Sequence, residues 1–183
     1  FKYKTANSFS EGLAAVNNGN KSGYINKKEE VIIPFKFKKA SSFNEGYATI
    51  IKRDIDDIED IHGFIDKNGD RAILSWDLVG DSFAWGISEG IAHYVDMGWH
   101  CYSRVNGEGI IGDMKRGRGF SNGFAVVQYN TDDKYRFINT EGEYVFSKYD
   151  RAHSFSEGFA VVRKGHYSDS KYSYINTKGE LVI

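Results

Sequence analysis

The stretch FSEGFAVV at 155–162 occurs in four other versions: FSEGLAAV at 9–16, FNEGYATI at 43–50, ISEGIAHY at 87–94 and FSNGFAVV at 120–127. Its glycine falls at Gly12, Gly46, Gly90, Gly123 and Gly158, at intervals of 34, 44, 33 and 35 residues. A chain that repeats itself at this period is an array of small units, and one such unit cannot bury its own apolar faces. Neighbouring units must therefore stack.

After each glycine the residues alternate. Ala14 and Val16, Ala48 and Ile50, Ala92 and Tyr94, Ala125 and Val127, and Ala160 and Val162 share one parity, while Leu13, Tyr47, Ile91, Phe124 and Phe159 share the other. A period of two with apolar residues on both faces describes a strand packed on both sides. A second strand follows as GYIN, GFID, SRVN, RFIN or SYIN, then a turn such as NKKEE, DKNGD, NTEGE or NTKGE. These turns start with Asn or Asp and usually place glycine fourth, as a type I turn closed by a left-handed residue requires. Glu29 holds the glycine slot in the first unit, at an expected cost of roughly 1 kcal/mol. A short third strand closes each unit, and a bridging segment (FKYKTA, FKFKKA or SKYDRA) leads into the next motif. The one proline, Pro34, is expected just after a strand.

No helical stripe interrupts this pattern. The expected fold is all-β: five tandem antiparallel meanders of about 35 residues, spanning 1–34, 35–74, 75–111, 112–146 and 147–183. An open superhelical array is favoured over a closed five-bladed propeller, since three strands per unit are fewer than the four of a propeller blade.

Taken together, F-S-E-G-x-A-x-V, then G-Y-I-N/D-x-x-G-E, then V-I-x-x-x-Y/F-D/K-x-A resemble the WG-repeat, or KWG-repeat, family found mostly in bacteria. The resemblance covers all five units. The Trp-Gly pair that names the family is replaced throughout, by Ser22-Gly23, His62-Gly63, Tyr102-Ser103, Tyr135-Arg136 and Tyr172-Ser173. The resemblance implies a β-repeat protein without an enzymatic activity common to the family, and it transfers no catalytic residue and no cofactor.

Composition narrows the partners. The chain has 24 Lys plus Arg against 25 Asp plus Glu, so its net charge of -1 supplies no field for nucleic acid or an anionic membrane. A single cysteine, Cys101, excludes an internal disulfide. No apolar run reaches the ~18 residues of a membrane span. The chain starts at Phe1 rather than Met; a processed or trimmed start is expected, with an envelope or secreted setting favoured over the cytoplasm.

The units differ in the loop between their first and second strands, and in a stacked array such loops share one side. In the longest, IKRDIDDIEDIH at 51–62, Asp54, Asp56, Asp57, Glu59 and Asp60 are expected to form a solvated acidic loop rather than a Ca²⁺ site. In the third unit, a tight turn at Met97-Gly98 would place His93 and His100 on one face, the pair nearest to a metal site, although ordinary packing is the favoured reading. Glu11, Glu45, Glu89 and Glu157 recur at one position, which suits turn capping or backbone pairing better than a catalytic dyad. Trp76, Trp85 and Trp99 all lie in or near the third unit. Trp85, Trp99, Tyr94 and Tyr102 are accordingly the expected contact residues. The function expected is a non-enzymatic protein-interaction or scaffold module; the alternative is a carbohydrate or cell-wall binder using the same rings.

Overall fold

The computed structural model describes residues 2–53, 59–72, 82–129, 131–165 and 171–183. Among them there is no helix, and the strands form four antiparallel sheets, none closed into a barrel. The first sheet runs in chain order through β1 (Thr5–Ala6), β2 (Leu13–Asn17), β3 (Ser22–Asn26) and β4 (Val31–Phe37), and the second through β5 (Lys39–Ala40), β6 (Tyr47–Lys52), β7 (Ile61–Asp66) and β8 (Arg71–Ala72). The third has seven strands: β9 (Phe83–Ser88), β10 (Ile91–Asp96), β11 (Trp99–Arg104), β12 (Gly109–Gly117), β13 (Phe124–Tyr129), β14 (Tyr135–Asn139) and β15 (Tyr144–Tyr149). The last holds β16 (Arg151–Ala152), β17 (Phe159–Lys164) and β18 (Lys171–Asn176).

Each motif opens a hairpin, β2–β3, β6–β7, β10–β11, β13–β14 and β17–β18. The three-strand expectation missed one strand, because the bridging segment pairs too: β1, β5, β9 and β16 each run antiparallel to the first strand of the following hairpin. Between the third and fourth hairpins one long strand, β12, pairs with β11 and then with β13, fusing two meanders into the seven-stranded sheet.

The turn chemistry follows the sequence closely. The Oδ1 of Asn26 accepts from the backbone N–H of Lys28 and Glu30, and Asp66, Asn139 and Asn176 repeat that pair of bonds in their own turns. Glu29 has φ 61°, where the equivalent Gly69, Gly142 and Gly179 have 80–83°. Pro34 departs from expectation. It lies within β4, at a register shift where Ser22 faces Phe37 and Tyr24 faces Ile33. Such an irregularity tolerates a residue with no N–H to give. The shifted strand presses onto Gly23, where a Cβ would stand 2.7 Å from the carbonyl oxygen of Ile33.

Apart from a small cluster of Ala14, Val16 and Ile25 within the first hairpin, the core lies between hairpins. One buried cluster joins Leu13, Tyr24 and Ile33 to Phe43, Ala48, Ile50 and Ile65. A second joins Phe64 and Ala72 to Ile87, Ala92 and Tyr94; a third, Ile91 and Tyr102 to Phe120, Ala125 and Ile138; a fourth, Val126 and Phe137 to Phe155, Ala160 and Ile175. The phenylalanine opening a motif thus packs on the preceding hairpin: Tyr24 meets Phe43 at 4.8 Å between ring centres and Phe137 meets Phe155 at 5.3 Å.

The E-G pair of each motif is itself a two-residue turn. Glu11, Glu45, Glu89 and Glu157 have φ of 51–53°, as does Asn122, and the glycine that follows each is also left-handed. Two positive φ angles define the type I′ turn that suits the twist of a hairpin. Each such Glu costs roughly 1 kcal/mol of backbone strain, and the tertiary structure gives the reason for it. Glu11 accepts from the N–H of Gly46, Glu45 from those of Glu89 and Gly90, Glu89 from Gly123, and Asn122 from Gly158. Beside them Ser10 donates to the carbonyl of Phe43, Asn44 to that of Ile87 and Ser121 to that of Phe155. At Glu11, Glu45 and Glu89 the recurrent acid is a backbone-pairing residue, and its partner is the turn of the next hairpin.

Candidate functional site

β9 pairs with β10 so that Ala84 faces Tyr94 and Gly86 faces His93, which leaves Trp85 as the extra residue of a bulge. Bulges redirect side chains, and this one turns the indole outward, leaving Trp85 59% exposed. Trp85 and Gly86 are both part of β9.

Beneath the indole the cross-strand pairs of β10 and β11 build a stack. The His93 ring lies 6.0 Å from Trp85 at 8°, and Tyr102 lies 4.8 Å from His93 at 10°. Tyr102 is buried and donates its hydroxyl to the carbonyl of Arg118. The stack runs from solvent into the core, so the exposed ring has a rigid support. Phe83 packs against Trp85 at 5.5 Å, and His62 of β7 lies at the edge of Phe83. A groove of about 470 Å³ opens beside them, floored by Lys39, Ser41, Thr49 and Ile51.

His93 and His100 meet as expected, with 2.9 Å between His93 Nε2 and His100 Nδ1, across a hairpin closed by Met97 and Gly98. Burial, with the neighbouring His100, pushes the His93 pKa down to about 3, and burial lowers that of His100. Both rings are thus neutral at pH 7, and one donates to the other. Among the described residues no group of three His, Cys, Asp or Glu side chains surrounds a common point.

Of the four aromatic residues expected to make contacts, Trp85 stands out into solvent and Trp99 is half-buried, whereas Tyr94 and Tyr102 are core residues. Phe83 and His62 complete the patch but were not expected from the sequence. The alternation of Phe83, Trp85 and Ile87 was the signal available for the first; nothing local marks the second, which arrives from another sheet. Trp76, Asp54, Asp56 and Asp57 lie outside the described residues. In the same loop Asp60 pairs with Lys38 and Arg53, each at 2.7 Å, and the Lys38 hydrogen bond holds its carboxyl below the usual range.

The family model described as WG containing repeat matches residues 1–21, 23–54 and 135–166. Those three segments match the WG repeat. No curated protein matches the chain. Solved structures similar to this chain are β-propeller-like or repeat folds. A eukaryotic initiation factor is 10% identical at a TM-score of 0.60 over 99% of this chain, and Kluyveromyces lactis Hsv2 is 11% identical at 0.54 over 96%. This chain spans 54% and 62% of the lengths of those two. At such identities the likeness concerns the fold alone. The third hairpin, with its bulge and stacked rings, lies outside the matched WG segments.

Proposed function

We propose that this WG-repeat chain is a non-enzymatic interaction module that holds a protein partner on the Phe83–Trp85 patch of β9. The observation that carries the reading is a tryptophan 59% exposed yet clamped by a bulge and a ring stack, beside a groove with apolar and hydrogen-bonding walls. Tryptophan held rigid at low entropic cost is the residue type that dominates protein interfaces. The family and the fold support a repeat-based module, and the patch supplies its contact point.

The test is a displayed-peptide selection on the intact chain, with Trp85→Ala as the counter-target. Peptides that bind the parent chain and lose at least about tenfold on the variant support the reading. Binders indifferent to Trp85 would move the contact point elsewhere. A blue shift of tryptophan emission with soluble glycans, in the absence of peptide binders, would favour the carbohydrate alternative.

A further inference from the structure

A second concave site lies two hairpins away, where the β13–β14 meander meets the β16–β18 sheet. It has a volume of about 470 Å³, and its described lining includes five cations, Lys115, Arg116, Lys134, Arg151 and Arg163, against two carboxylates, Asp133 and Asp150. In a chain of net charge -1 this is a local concentration of positive charge. The two carboxylates are engaged by lysines: Asp133 by Lys115 at 3.2 Å, and Asp150 by Lys134. The second oxygen of Asp150 accepts the N–H of Gly165. Arg151 lies over the ring of Tyr135 and donates to its hydroxyl, which fixes the guanidinium on the pocket wall. Arg116 is exposed and makes no ion pair among the described residues.

A second, independent feature is Gln128. It lines the pocket at 5% exposure, and its Oε1 accepts no hydrogen bond among the described residues. Buried amides are almost always paired, and one left open at the wall of a cavity points to a partner that comes with a ligand. The pocket thus combines fixed cations for an oxyanion with a buried acceptor for a hydroxyl.

We infer that this pocket binds an anionic sugar, a polyol carrying a carboxylate or a phosphate. Guanidinium groups match both oxyanions, and the Gln128 amide supplies the contact that separates a sugar from a bare ion. This site shares no residue with the Trp85 patch and does not depend on the proposal made for it.

Calorimetric titration of the intact chain with glucuronate, glucose 6-phosphate, glucose and inorganic phosphate tests the inference. One of the two charged sugars should bind about tenfold tighter than either glucose or inorganic phosphate, and which one it is identifies the oxyanion. Arg116→Ala, a change at an exposed position, should weaken that sugar about tenfold. Gln128→Leu should remove the advantage over inorganic phosphate while leaving phosphate itself unchanged. Silence from both charged sugars at about 10 mM, glucose binding as well as they do, phosphate binding as tightly as both, or affinities unmoved in folded Arg116→Ala and Gln128→Leu would each overturn it. Circular dichroism of both variants establishes that they fold.

Discussion

Every hairpin has two edges, and they behave differently. At one edge lie the E-G turns, with left-handed angles within 2° of one another at the Glu or Asn position and side chains that reach the next turn along. At the other lie the connections between first and second strands. One is an Asn-closed loop, where Asn17 and Asn18 accept from the N–H groups of Gly19, Asn20 and Lys21, and another is the bare Met97-Gly98 turn. The turn edge repeats because each turn must fit the one beside it. The connecting edge is released from that requirement, and residues near it line both candidate sites, Ile51, His62 and Phe83 in one region and Asp133, Lys134 and Gly165 in the other.

The largest expected effect breaks this comparison. Gly23 sits toward the connecting edge, yet Gly23→Ala should cost about 2–3 kcal/mol, because the new methyl meets the β4 backbone, which cannot move aside. Gly63 occupies the equivalent place in β7, where a Cβ meets only the tip of Ile50 at 4.0 Å, and Gly63→Ala should be nearly neutral. Urea denaturation of the two variants measures both, and equal losses would remove the close approach of β4 as the cause.

Next is a pH effect centred on His93 of the third hairpin. Unfolded, the imidazole of His93 titrates near 6.5, whereas the folded protein holds it at about 3. The unfolded state binds the proton first, so stability present at pH 7 is lost as pH falls below about 6.5 and continues to fall toward pH 3. The loss at pH 5 attributable to His93 should be about 2 kcal/mol, read as a lowered urea midpoint, and His93→Phe should remove most of it.

The turn edge yields the smaller pair. Glu45→Ala removes bonds to two backbone N–H groups, each 2.9 Å long, and should cost about 1 kcal/mol. Glu157 has the same backbone angle but no hydrogen-bond partner among the described residues, so Glu157→Ala should leave the thermal midpoint unchanged. A similar loss at both positions would show that the inter-turn bond contributes little. In the opposite direction, Glu29→Gly should raise stability by about 0.5–1 kcal/mol by relieving a left-handed residue.

Local chemistry was legible in the residues. Alternation after each glycine marks β2, β6, β10, β13 and β17; Asn26, Asp66, Asn139 and Asn176 mark their turns; Glu29 stands out against the glycines that replace it elsewhere. The bridging strands were harder to read because β1, β5 and β16 have two residues each, too few for a period to register. Pro34 was misplaced by one element because a bulge admits what a regular ladder forbids. In the candidate site Trp85 was legible as an aromatic out of place, while Tyr94 and Tyr102 were not separable from it. Whether a ring on a strand faces solvent depends on what packs across that face.

By itself the sequence determined the strand-turn-strand unit and its recurrence, since alternation and turn angles act over a few residues and depend only on neighbours along the chain. The tertiary structure alone decided what the recurrent acid is for, which rings are surface and which are core, and where five cations gather around one buried amide. Those outcomes depend on side chains some 35 residues apart meeting across stacked sheets, as Glu11 meets Gly46. Spacing along the chain carries no direction in space, and direction is what brings a carboxylate to an N–H.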